Sequence, residues 1–302
     1  MMSEKTLDSN SEILFLYDAK MCNPNGDMDD ENKPRMDYDT STNLVSDVRL
    51  KRYTRDYFEN VLNKEIFVTE KAEKAEKRVE QILGRKPDKN KPITKDDIKT
   101  ISSICYDIKF FGAVFGTSGG NDHVTGPVQF NWGYSLNPVE LVESSTITSS
   151  FSSGEGIGKD FRVKYSFIAF DGTVNALLSE TTELNSNDLK TFDESVIKSI
   201  PFNKTRSKTG QIPRLYMRVE TEKDLILKDL RDYICLKYKT EDYKVRAIKD
   251  ISLDLNNLKD YLLKNKKGIQ KIYYWVDDAI TFENYNSFEE ILSGFEMENI
   301  KL

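Results

Sequence analysis

Glu12-Ile-Leu-Phe-Leu-Tyr-Asp-Ala19 is the stretch that decides the fold. Bulky apolar side chains stand on both of its faces, the pattern of a strand inside a sheet rather than at its edge. Outward from it, residues 22–43 read as a polar loop rich in Asn, Asp, Gly and Pro. Ser46 is placed to cap a helix. Over residues 48–62, Leu50, Tyr53, Tyr57 and Val61 follow helical spacing. Lys51, Arg52 and Arg55 fall on the opposite arc, so this helix is expected to bury one face and present a basic one.

Residues 64–99 are dominated by Lys and Glu, and 70–83 looks like a solvated helix. The segment 63–100 is therefore an insertion, either a subdomain or a disordered-prone lobe. Apolar helical periodicity returns over 98–115, and Gly116-Thr-Ser-Gly-Gly-Asn-Asp-His-Val-Thr-Gly126 reads as a Gly-rich loop. Val128, Phe130, Trp132, Tyr134 and Leu136 alternate with Gln129, Asn131, Gly133 and Ser135, as in a half-buried strand. Residues 144–160, rich in Ser, Thr and Gly, form an extended excursion. Residues 161–178 read as a β-hairpin turning at Asp171-Gly172. Leu189, Phe192, Val196 and Ile200 have helical spacing, and 211–220 alternates again. Residues 223–302 extend the core with a helix at 253–265 and a strand at 269–275. This order suits one α+β domain, an RRM-like (ferredoxin-like) antiparallel sheet with one face covered by two helices.

The 302 residues are 38% hydrophobic and 31% charged, fitting a soluble globular protein. No apolar run approaches a membrane span, and residues 1–11 lack the apolar core of a secretory signal, so a cytoplasmic protein is expected. Cys22, Cys105 and Cys235 are scattered and His123 is the only histidine, which leaves no zinc ligand set and no disulfide framework. The net charge of −6 sits entirely in residues 276–302, where seven acids face Lys301. The rest is neutral and contains an acid-free basic track, Lys204, Arg206, Lys208, Arg214 and Arg218.

Three runs carry a resemblance: Asn23-Pro24-Asn25-Gly26-Asp27, Pro34-Arg35-Met36-Asp37, and Val45-Ser46-Asp47-Val48-Arg49-Leu50-Lys51-Arg52. Together they resemble the N-terminal signature of the CRISPR-associated "Cas seven" backbone proteins of type I Cascade, subtype I-B first and I-C next. Asp107-Ile-Lys-Phe-Phe-Gly-Ala-Val114, Val124-Thr-Gly-Pro-Val-Gln-Phe130 and Glu143-Ser-Ser-Thr-Ile-Thr148 agree in order and spacing. The resemblance implies a palm with a finger at 63–100 and a thumb at 144–160. It implies CRISPR guide RNA as ligand, head-to-tail stacking of copies, other Cascade subunits as partners, target DNA reached through the guide, and cleavage left to a separate nuclease. No cofactor, metal or catalytic residue is expected.

A guide complex must accept any spacer, so contacts to phosphate and sugar are the kind required. Candidate contacts are Ser46, Lys51, Arg52 and Arg55 on the first helix, and Thr125 and Gln129 by the Gly-rich loop. Arg162 and Lys164 are further candidates, with Lys204, Arg206 and Lys208. Arg214 and Arg218 flank Tyr216 on what reads as an open sheet face, an arrangement suited to single-stranded RNA. Phe151 and Ile157 are the apolar candidates of the thumb. Two rival readings stand beside this one. Asp27, Asp29, Asp30 and Glu31 would serve a metal-dependent target-RNA ribonuclease of the type III kind. A generic single-stranded RNA-binding protein would bind one copy per short RNA.

Overall fold

The computed structural model describes residues 6–117, 120–142, 146–148 and 157–302. Strand β1, Asn10–Cys22, lies at the centre of a nine-stranded sheet, as its two apolar faces demand. Its antiparallel neighbours are Val163–Val174 and Gln211–Thr221. On the first side the sheet continues through Gly133–Ser135, with Val128–Phe130 alongside, to Thr42–Val45 and Met36–Asp37. On the other it continues through Ile269–Val276 to the short parallel edge Met297–Asn299.

Helix α1, Asp47–Asn60, and helix α2, Ser186–Phe202, cover one face together with the short helix Tyr106–Phe111. Ile13, Phe15, Tyr17 and Ala19 of β1 pack there against Leu50, Tyr53, Phe110, Phe192 and Val196. The opposite face is covered too. Leu14 and Leu16 meet Leu215, Met217, Leu230, Leu253, Leu258, Leu262 and Phe288, so the C-terminal part forms a second apolar layer. The expectation of a sheet covered on one face only is therefore corrected: a strand apolar on both sides needs a layer on each.

Three further expectations change. The hairpin at Asp171-Gly172 is one unbroken strand. Gly172 does not turn the chain; a Cβ there would lie 2.6 Å from the Phe130 ring, so the glycine makes room for that ring. The Gly-rich loop of 116–126 belongs to an antiparallel hairpin of Gly112–Thr117 with Gly120–Thr125, and the helix expected over 98–115 ends at Phe111. The strand expected over 128–136 breaks at Asn131 and Trp132.

The charged insertion is neither disordered nor simply solvated. Phe67, Val79 and Ile93 form a small core with Ile101, Cys105, Ile108 and Phe115. Asp107, fully buried, fixes this lobe to α1. Its carboxylate accepts from Arg55 Nε at 2.8 Å and from the backbone N–H groups of Phe67 at 2.6 Å and Val68 at 3.3 Å. The Arg55 guanidinium also lies over the Phe111 ring. A charge this deep is tolerable only with its partner in place.

The C-terminal layer is pinned by Arg231. It binds Asp229 through two nitrogens and donates to the carbonyl of Trp132 at 2.6 Å. Burial, with Asp171 and Asp229 nearby, pushes the Glu12 carboxyl up to about 8. Burial, followed by the charge of Asp229, pushes Asp171 up to about 6. The acids of the C-terminal segment engage this protein's own surface: Glu296 and Glu298 pair with Lys271, Asp277 pairs with Arg214, and Glu289 accepts from Tyr274 Oη. Among the described residues no helix is long and apolar enough to cross a membrane.

Two predictions follow from these buried charges. Asp107→Asn or Arg55→Ala should each cost about 3–5 kcal/mol in urea denaturation, because each strands a buried polar partner; a loss below about 0.5 kcal/mol would contradict the assignment. Glu12 and Asp171 bind protons more tightly folded than unfolded, so stability should fall as pH rises from about 4 towards about 8. Glu12→Gln with Asp171→Asn should therefore raise Tm at pH 8 by about 2–4 °C and leave it nearly unchanged at pH 4. An equal effect at both pH values would contradict it.

Candidate nucleic-acid interface

The site forms where β1 ends. Asn23, Pro24 and Asn25 leave the strand in a buried turn. Asn25 Oδ1 accepts from both the backbone N–H and the hydroxyl of Ser46, at 2.8 and 2.9 Å. The Ser46 hydroxyl in turn caps α1 by accepting from the Arg49 N–H. The Asn-Pro-Asn signature thus fastens the N-terminus of α1 to the end of the central strand. Asn43 extends the lock, donating to the Arg35 carbonyl and accepting from the Ser166 hydroxyl.

The turn after α2 lies alongside. The Asn23 N–H donates to the Ser207 carbonyl, and the Lys20 N–H to the Gly210 carbonyl. Lys208 Nζ donates to the Asn23 carbonyl at 2.5 Å. Burial, then the charge of Arg49, pushes this ammonium down to about 8. Asn203 ties the same turn to the Tyr53 carbonyl. Lys204 and Arg206 project from it, exposed. Arg162 completes the rim, donating to the carbonyls of Met21 and Arg206, while Asp160 accepts from both Arg162 and Arg206. Among the described residues no carboxylate pairs with Lys20, Arg49, Lys204 or Lys208. These cations, together with Arg162 and Arg206, form an anion-attracting rim beside a helix N-terminus.

The other predicted contacts divide. Lys51 meets Gln129 Oε1 at 3.3 Å and pairs with Asp47, and Gln129 donates to the Gly126 carbonyl. Thr125 is exposed at the adjoining strand end. This second group flanks α1 opposite Arg49, with exposed Val48 between. Lys164 lies apart, pairing with Glu140, which also holds Arg246.

Three expectations are corrected. Arg55 is buried against Asp107 and Arg52 is held by Asp56 and the Val68 carbonyl, so the basic face of α1 clamps the lobe instead of standing free. Arg218 is 1% exposed; three of its bonds go to Asp193 of α2, and Tyr216 Oη donates to the same carboxylate at 2.6 Å. Arg214 is buried between Asp18 and Asp277. Tyr216 and Arg218 share the face beneath the helices, whereas the register shift beside Leu16 and Tyr17 places Arg214 on the opposite face with Asp18 and Asp277, under the C-terminal layer, so neither face offers the open platform expected. Phe151 lies outside the described residues; Ile157 begins the strand Ile157–Lys159, which pairs with Thr146–Thr148.

Arg49 and Lys20 were missed. Arg49 stood inside the quoted signature, three residues after the cap, where the first helical turn brings it beside Ser46. In the acidic loop, Asp27 pairs with Arg35, Asp30 with Lys33, and Glu31 with Lys159. Among the described residues no group of three or more His, Cys, Asp or Glu side chains converges in a way that would hold a metal.

The family described as CRISPR-associated protein Cas7 matches residues 9–256. The CRISPR-associated protein Cas7 of Haloferax volcanii is 31% identical over 308 residues, covering 90% of this chain and 88% of that protein. Among solved structures, a chain of a "CRISPR RNA-guided surveillance complex, pre-nicking" superposes with a TM-score of 0.53 at 13% identity, covering 94% of this chain and 98% of that one. A chain of a "CRISPR RNA-guided surveillance complex" gives 0.52 at 17%, covering 94% and 97%. At those identities the likeness is one of fold. The extent of the family match and the identity to the haloarchaeal protein show that this chain belongs to the CRISPR-associated Cas7 family.

Proposed function

We propose that this protein is a guide-RNA-binding backbone subunit of a type I CRISPR surveillance complex, of subtype I-B, acting in the cytoplasm without catalytic activity of its own. Copies stack head to tail along the guide, other subunits cap the array, and target DNA is met by pairing with the guide. The observation that carries the reading is the cationic rim of Lys20, Arg49, Arg162, Lys204, Arg206 and Lys208 around the Asn23–Asn25 turn. Lys208 and Arg162 are held by bonds to backbone carbonyls and Arg49 lies over the Tyr53 ring, so the rim offers charge to a phosphate backbone and no base-reading pattern. Lys51, Gln129 and Thr125 supply a second set of polar contacts across α1.

The strand and helix order supports an RRM-like reading of the palm. β1 lies between the strand that precedes α2 and the strand that follows it, and α1 connects β1 to the outer pair. In this reading residues 63–100 are the finger, 144–160 the thumb, and 223–302 a cover on the sheet face that RRM domains leave open. RNA is thereby directed to the rim.

Replacing Arg49, Lys204 and Lys208 together by Ala should weaken binding of single-stranded RNA of every sequence alike. The slope of log affinity against log salt should flatten by about 2, since each single-strand phosphate contact contributes about 0.7. Unchanged affinity and slope would remove the rim from the account. Purified protein incubated with target RNA and Mg²⁺ or Mn²⁺ should leave the RNA intact; cleavage that disappears in Asp27→Ala would establish the ribonuclease reading instead.

A further inference from the structure

We propose that Trp132 is a stacking contact for a nucleobase of the bound RNA, an inference that rests on the RNA-binding reading above. Its side chain is 44% exposed, although the alternation of residues 128–136 assigns it to the same face as buried Phe130. The strand break turns it outward. Gly133, the next residue, packs so tightly that a Cβ would lie 2.4 Å from the Phe170 ring, and this closeness fixes the phase change.

The backbone carrying the indole is held from several directions. The Trp132 N–H donates to Asn131 Oδ1 at 3.0 Å, its carbonyl accepts from Arg231, and the Asn131 N–H donates to the Asp171 carbonyl. An exposed tryptophan on a mobile tip has little capacity to pre-order a ligand; one on a fixed backbone is a ready surface.

Trp132 is also joined to the rim. The Arg35 guanidinium lies over the indole, 5.9 Å from its centroid, and pairs with Asp27. The Arg35 N–H donates to the Asn25 carbonyl, and Asn25 binds Ser46 at the start of α1. One chain of bonds thus runs from the helix N-terminus to the indole. Stacking suits a subunit that must accept any guide, because every base has a π face and none is selected. A strand leaving the cationic rim across Ser46 and Asn25 would meet this ring next, with Arg35 placed to support the stacked pair.

Trp132 and Trp275 are the protein's two tryptophans, so emission in a Trp275→Phe background reports Trp132 alone. Titration with oligouridylate should quench it, whereas inorganic polyphosphate, a charge-only probe, should bind without quenching. By anisotropy at fixed salt, Trp132→Ala should lose about tenfold in RNA affinity with its salt slope unchanged, and Trp132→Phe should keep most of the affinity. If RNA binds with a steep salt slope while the emission stays constant and Trp132→Ala binds normally, the stacking contact is wrong and the cationic rim stands. If no RNA binds, both readings fall. If the emission instead follows protein concentration without RNA, the ring belongs to a contact between copies and the proposal is overturned. Thermal melts of both variants separate lost stacking from lost folding.

Discussion

Burial of the central strand on both faces is the constraint on which the rest of the structure depends. With no polar face for water between residues 13 and 17, β1 requires α1 and α2 on one side and the C-terminal layer on the other. That arrangement closes the sheet to ligand. The ends of the strands remain, and at one of them Arg49, Lys204 and Lys208 stand close together with no carboxylate paired to them among the described residues. The buried charges find their partners within the chain: Asp193 holds Arg218 and Tyr216 under the helices, and Asp18 accepts from Arg214 and Tyr165 on the opposite face.

The same economy of charge explains α1. Half of its basic residues were needed to dock the lobe. Arg55 neutralises Asp107, and Arg52 reaches the backbone at Val68. Arg49, over Tyr53, and Lys51, in contact with Gln129, lie on opposite sides of the exposed ridge at Val48. A helix that seemed to divide into apolar and basic arcs divides instead into three: one facing the sheet, one facing the lobe, and one facing the rim.

Much of this was legible in the sequence. The central strand, α1 with its Ser46 cap, α2, the strand over 211–220 and the family signature all appear where periodicity and motif place them. The failures have local causes. Gly172 reads as a turn because glycine after aspartate usually is one, yet here it answers to the ring of Phe130. Arg214 and Arg218 look like surface cations because their acidic partners, Asp18, Asp277 and Asp193, are distant in sequence. The double apolar character of residues 12–19 did call for a layer on each face; the helix and strand read at 253–265 and 269–275 are present, but nothing in their periodicity says which face of the sheet they cover. Arg49 was hidden because its significance comes from Lys208, which approaches it only after folding.

The central claim is that RNA is held at the rim of the strand ends and not on a sheet face. Acetylation of lysines read by mass spectrometry, with and without a long single-stranded RNA, tests it most directly. The account predicts protection of Lys20, Lys204 and Lys208, with Lys237 and Lys264 on the C-terminal layer modified at the same rate in both samples. Protection of Lys237 and Lys264, with Lys20, Lys204 and Lys208 still reactive, would contradict it.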